Sequence, residues 1–413
     1  FQATGKMRRR SLLLGLGSLA LTQLVHACGL RGRSPQFVVE FLASSIPASL
    51  LKRVEAQLQA TMPLKLTPVS QLADSQLSTW LLTPQSNDGD GSTTDSQPTF
   101  PNLASLGDSW LALAIQSQSL QPLAIESQSG WNQLPAVFQQ LVQRNGQGNL
   151  DPSGEIWAAP YRWGQLMIAY RADKLDPLGW TPTDWNNLWD QPVERRLSLP
   201  DHERLVLGLV LKAMGQSINV SNLGSINDLA DRLASLQQQV KFYSSDNYLQ
   251  PLFLEDTWVA VGWSMDILPV VQRDPRIKAI VPTSGTILNA DLWVQPHQAV
   301  TPDTEGNAET IDGSSDGNDA TAQFVQDWIN FFWEPDIAIQ LSLLSSAASP
   351  MILDTNLALN SSLSLPSALL DDRLLIPSAE ILAQSEFIQP LDPGAIAQYQ
   401  QYWQTMRTPV NPT

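Results

Sequence analysis

Residues 37–69 place the tightest constraint on what this chain can fold into. Phe37-Val38-Val39-Glu40-Phe41-Leu42 is a short apolar run of strand character. Leu50, Leu51, Val54 and Leu58 then recur at helical spacing between Pro47 and Ala60, and Leu64-Lys65-Leu66-Thr67-Pro68-Val69 reads as a second strand. Two strands joined through a helix pair in parallel, because the crossover carries the chain back to the edge where it began. The opening therefore predicts an α/β fold, a sheet with helical crossovers. At 413 residues the chain is long enough for two or three compact lobes.

Further elements follow the same logic. Asp201 is expected to cap a helix over His202–Met214, with Gly215 just past its end. Residues 226–240, 322–333, 335–344 and 393–406 have helical spacing, the last carrying Tyr399, Tyr402 and Trp403. Residues 85–101 are rich in Ser, Asp, Gly and Thr and read as a surface loop. Residues 301–320 contain acids and no base, and read as a disordered acidic insertion. A calcium loop there lacks the bidentate glutamate at its twelfth position.

The N-terminal segment predicts a compartment. Arg8, Arg9 and Arg10 precede the uncharged, leucine-rich stretch Ser11–Ala27. That stretch is shorter than the roughly 20 residues a membrane span needs. Residues 1–27 read as a signal peptide, and Arg9-Arg10-Ser11-Leu12-Leu13 resembles a twin-arginine export signal. Cys28, the sole cysteine, follows at once, and Val25-His26-Ala27-Cys28 resembles a bacterial lipoprotein cleavage site, with His26 departing from the small residue usual there. The expectation is lipidation at Cys28, a tether over 28–35, and a periplasmic or extracytoplasmic protein held to the membrane by lipid. Disulfides and a thiol nucleophile are then excluded.

Charge and side-chain inventory exclude several classes. Asp plus Glu number 40 against 24 Lys plus Arg, a net charge of −16, and no basic stripe interrupts the acidity. Such a surface repels nucleic acid, so none is expected as a partner. Beyond the leader only His202 and His297 remain, without zinc spacing, and the tyrosines include no adjacent pair of the kind that holds ferric iron. No nucleophile elbow or phosphate loop occurs. Catalytic residues, metal and cofactor are all expected to be absent, and the protein to be a monomer.

Residues 156–294 then resemble the periplasmic spermidine/putrescine-binding family of ABC importers. Pro160-Tyr161-Arg162-Trp163-Gly164 is similar to that family's Pro-Tyr-x-Trp-Gly strand, and Trp185-Asn186-Asn187-Leu188-Trp189 to its Trp-x-x-Leu-Trp element. Ser244-Ser245-Asp246-Asn247, followed by Val259–Ser264, resembles its Ser-Asp-Asn loop and the strand that ends in tryptophan. Ile329-Asn330-Phe331-Phe332 and Pro335-Asp336-Ile337-Ala338 resemble its following helix pair. The resemblance implies a two-lobed type II periplasmic-binding fold with hinge-crossing segments. Lobe 1 is expected over 36–158 and 285–345, and lobe 2 over 159–284 and 346–407, with a small-molecule ligand between them and an ABC permease as partner. It also points to ligand contacts at Trp110, Trp163, Arg162, Ser44, Ser45, Asp246, Trp263 and Asp291. The departures matter as much. The family's first-strand ligand run aligns with Leu42–Ser45, its helix-start acids with His202 and Leu205, and a later acid with Ala290, one place before Asp291. The resemblance thus implies a binding protein that is not a tight polyamine binder. The alternative is a degenerate binding fold serving as a membrane-anchored scaffold.

Overall fold

The computed structural model describes residues 36–59, 62–69, 101–297, 315–353 and 373–408. The signal peptide, Cys28, the tether, residues 85–100 and residues 301–314 lie outside the described residues. Among the described residues no helix is long and apolar enough to cross a membrane.

The expected opening is present. Strand β1 (Phe37–Leu42), helix α1 (Ala48–Leu58) and strand β2 (Leu64–Val69) form a parallel unit, with Phe37 opposite Leu64 and Leu42 opposite Val69. Leu50, Val54 and Leu58 are the buried stripe of α1. β3 (Leu103–Gly107) joins the other edge of β1, also in parallel. Three short strands follow, β4 (Leu120–Gln121), β5 (Gln143–Arg144) and β6 (Glu155–Ile156).

β7 (Ala159–Arg171) is the long strand of the molecule, and all of its residues are buried. Its partners are β8 (Leu197–Leu199), β9 (Val240–Tyr243), β10 (Val259–Trp263), β11 (Ile277–Ile280) and β12 (Ile287–Pro296), directly or through one another. The order is β2-β1-β3-β12-β7-β10-β8-β9, with β13 (Glu386–Phe387) beside β12. Along β7 the partner changes. Pro160–Gln165 pair with β12, whereas Leu166–Arg171 pair with β10 and β11. Two half-sheets therefore share one strand. The pairings switch inside β7, between Gln165 and Leu166.

Each half-sheet has its own apolar layer. The first is dominated by aromatics: Tyr161 stacks on Trp293 at 4.4 Å, and Trp328 meets Trp293 edge-on at 5.4 Å. The second holds Leu166, Ile168, Val259 and Val261 against α2 (Glu203–Ala213), which is buried over Leu205–Lys212 because α3 (Leu229–Gln239) and α7 (Pro393–Arg407) cover it. Trp328 and Trp333 are buried, and Trp403 packs edge-on against Tyr243.

Two local expectations are corrected. α2 starts at Glu203 with His202 as its N-cap, not Asp201. The Asp201 carboxylate instead accepts from Arg407 Nη1 at 2.6 Å, a long-range partner that competes with local capping. Gly215 does take the left-handed backbone expected past a helix end, at φ 69°. Between α4 (Ser264–Arg273) and α6 (Pro335–Ser345), α5 runs over Ser315–Trp333 and so begins inside the stretch 301–320 read as disordered. Phe324, Val325, Trp328 and Ile329 are all buried, and once that stripe anchors the helix, extension toward the N-terminus adds one hydrogen bond per residue.

Candidate functional site

Strand direction locates the site before any side chain is considered. β3 and β7 both run antiparallel to β12, so they point the same way, and β10 runs against β7. Gly107, the last residue of β3, lies opposite Asp291, which lies opposite Arg162. Trp263, the last residue of β10, lies opposite Leu166. The carboxyl ends of the two half-sheets thus face one another across Arg162–Leu166, about 13 Å of strand at ~3.3 Å per residue. In open α/β sheets the crevice outside the carboxyl ends of the strands is where ligands bind.

A β-bulge sets the side chains of this crevice. Asp291 pairs with Arg162 but Leu292 pairs with Pro160, so Tyr161 is the extra residue. A bulge re-aims the side chains that flank it. Here Arg162 and Asp291 stand directly opposite one another and form an ion pair through Nε and Oδ2. Both are buried, the arginine side chain being 2% exposed and the aspartate 7%. Arg162 Nη1 also donates to the Ser45 carbonyl at 3.4 Å, beyond the end of β1, and Nη2 lies 3.9 Å from Met265 Sδ at the start of α4. Burial opposes the charge on Arg162, yet Asp291 and the more distant Asp266 hold its pKa above the ordinary value.

Alternation along the strand decides the neighbours. Neighbouring residues of a strand face opposite sides, so Arg162 and Gly164 share a face with Asn289 and Asp291. A Cβ on Gly164 would meet Ser264 Oγ at 2.6 Å and Asn289 Oδ1 at 3.2 Å, which shows how closely the start of α4 approaches this floor. Asn289 Oδ1 is buried and has no hydrogen-bond partner among the described residues. Trp163 must face the other way. It is 1% exposed and packs on Phe138 at 6.0 Å, so it lies in the core and not with Arg162.

The remaining expected residues are placed as follows. Ser45 is buried at the crevice and Ser44 beside it is exposed. Trp110 ends a 3-10 turn that follows β3 directly, and Trp263 ends β10; both are half-buried. Asp246 is exposed on the loop that follows β9, at some remove in the strand order, and nothing described joins it to Arg162 or Asp291.

Sequence reading missed a second polar cluster. The Tyr248 hydroxyl donates to Asp266 Oδ2 and accepts from the Trp263 backbone N–H at 3.1 Å. Asp266 is exposed to solvent yet closely surrounded by protein, and that burial raises its pKa, opposed by the Tyr248 hydrogen bond and by Arg162. Tyr248 follows the Ser-Asp-Asn loop and Asp266 lies one helical turn beyond Trp263, so both stood beside motifs already singled out. Asp108, just past β3, is buried and accepts from the Ala290 N–H at 3.0 Å. Burial pushes its pKa up to about 7, with the Ala290 bond and Arg144 opposing. A groove of about 940 Å³ between α3 and α7 lies elsewhere, and none of the eight expected ligand residues lines it.

Comparison with known proteins agrees with this architecture. Residues 99–370 match the family model for bacterial extracellular solute-binding proteins. The spermidine/putrescine-binding periplasmic protein of Salmonella typhimurium is 25% identical over 257 residues, 62% of this chain and 65% of that one. The Escherichia coli K12 protein of the same name is 26% identical over 258 residues, again 65% of its length, so the chain matches just under two thirds of these curated relatives. Among solved structures, the spermidine/putrescine ABC transporter substrate-binding protein of Streptococcus pneumoniae superposes with a TM-score of 0.69 at 19% identity, over 91% of this chain and 99% of that one. A periplasmic thiamin binding protein superposes with a TM-score of 0.52 at 14% identity, over 91% and 96%. The fold is therefore the two-lobed α/β fold of periplasmic binding proteins. The family is one of transport solute-binding proteins and not of enzymes. By the match over more than half of its length, this chain belongs to the bacterial extracellular solute-binding proteins.

Proposed function

We propose that this protein is the extracytoplasmic receptor of an ABC importer, held to the membrane by lipid at Cys28, and that it carries a small neutral or amphoteric solute and not a polyamine. The observation that carries the specificity is the Arg162–Asp291 pair. A dication leaving water needs a carboxylate for each ammonium group, or it pays several kcal/mol in desolvation. Asp291 is already neutralised by Arg162, and Asp266 already accepts from Tyr248. Leu205, where the resemblance places an acid, is buried in apolar packing. What the crevice still offers is the Asn289 oxygen, the half-buried Trp110 and Trp263, and Ser44. These suit a flat or apolar body with a hydrogen-bond donor.

Isothermal titration tests the specificity. Spermidine should bind more weakly than about 1 µM, near −8 kcal/mol. A dissociation constant at or below that value overturns it. A thermal-shift screen of amino acids, sugars, vitamins and amines should find a stabilising solute, and Trp263→Ala should weaken that solute. A screen without any hit favours a second reading, a membrane-anchored scaffold, which the internally paired charges of the crevice also support. The anchor has its own test: Cys28→Ser should release the protein from the membrane fraction, and unchanged attachment sinks that part of the reading.

A further inference from the structure

We infer that Arg162 is a resident cation, its guanidinium filling a seat in the crevice that an organic cation from solution takes once the side chain is shortened. Arg162 is thereby the residue that shuts cationic solutes out. The inference rests on reading this crevice as the ligand site.

The seat is built of acceptors from three elements. The Asp291 carboxylate comes from β12, the Ser45 carbonyl from the turn after β1, and Met265 Sδ from the first turn of α4. Nothing among these partners is a donor that would repel a cation. The elements belong to both half-sheets, and between them they enclose the guanidinium, whose side chain is 2% exposed. Deleting the side chain leaves a cavity of its own shape with a buried carboxylate at its end. An uncompensated buried charge is strongly unfavourable, so the site gains by drawing a cation from solution. Asp266 also acts on Arg162 through space, although its carboxylate is engaged by the Tyr248 hydroxyl. The ligand class that fits the emptied seat is a guanidinium or ammonium group on a short aliphatic chain, of which agmatine and putrescine are the simplest two-headed members.

The test titrates the full-length protein, as wild type, Arg162→Ala and Arg162→Gln, with agmatine and with putrescine. Each variant should bind at least one of them about tenfold or more tightly than wild type, the value of one charge-assisted hydrogen bond. Arg162→Gln keeps an amide facing Asp291 without the charge, and serves if the alanine variant does not fold. Adding Asp291→Asn to either variant should abolish the gain. Variants that bind both cations no better than wild type overturn the inference, as does a gain that survives Asp291→Asn. The specificity proposed above fails on a different result, tight binding of spermidine by the wild type.

Discussion

Asp291→Ala is expected to lower the unfolding free energy by about 3–5 kcal/mol, the range for removing one partner of a buried ion pair. The cause is what the substitution leaves behind. Arg162 keeps its charge, since a guanidinium does not deprotonate in this range. With its side chain 2% exposed, it has little water to replace the lost carboxylate. Its other partners, a carbonyl at 3.4 Å and a sulfur at 3.9 Å, are too distant to compensate. Replacing both residues together, as Arg162→Met with Asp291→Leu, should restore most of the loss, because the buried charge is then gone and the volume is kept. Urea denaturation of the three variants decides it through the shift of the midpoint at constant slope. A loss below about 1 kcal/mol for Asp291→Ala would be typical of an exposed pair, and would show the bulge region open to water.

Gly262→Ala should be comparably severe, at about 3 kcal/mol or more, the upper end of what overpacking a core costs. The added Cβ would stand 1.9 Å from Tyr248 Cε2 and 2.5 Å from Cζ, so the ring has to move. It is poorly free to do so. Tyr248 is 4% exposed, and its hydroxyl is held at once by Asp266 and by the Trp263 backbone N–H. Moving the ring therefore breaks the polar cluster as well as the packing, and the end of β10 shifts with it. In a Tyr248→Ala background the same substitution should cost far less, since the atoms it strikes are absent. A double-mutant cycle measures this coupling, expected above about 1 kcal/mol for residues in contact. Additive effects of the two substitutions would mean that the clash is relieved by backbone movement elsewhere.

The two effects meet at one place in the fold. Asp291 and Gly262 lie on the two strands that flank β7, opposite Arg162 and Met167, on either side of the point where its partners change. Stability and binding are thus drawn from the same few residues. A side chain that fills the crevice floor for the sake of the fold also removes charge that a ligand could use. The family resemblance anticipated the scaffold for this reason, because strands and helices depend on apolar spacing. It anticipated the ligand chemistry less well, because a single guanidinium can cancel an aspartate that is still visible in the sequence.

The opening β1-α1-β2 unit was legible because its structure is written locally: the short apolar run of β1 and the 3.6-residue stripe of α1 each lie within about a dozen residues. The same holds for α6 behind Pro335 and for the turn at Gly215, whereas the end of β10 at Trp263 was read from the family resemblance. The acidic composition likewise gave the physical ground for expecting no nucleic-acid partner. Three decisions belonged to the tertiary structure alone. Arg162 meets Asp291 across 129 residues of chain, and the choice depends on a one-residue bulge at Tyr161 that no local pattern announces. Trp163 was read as a ligand contact beside Arg162, yet alternation sends it to the core once the register is set. Tyr248 finds Asp266 only because the loop after β9 folds over the start of α4. Register is a sum over contacts from distant parts of the chain, and shifting it by one residue reverses which side chains face the crevice. Periodicity within a segment can therefore say that a strand exists, while only the packing of its neighbours says which of its residues the ligand will meet.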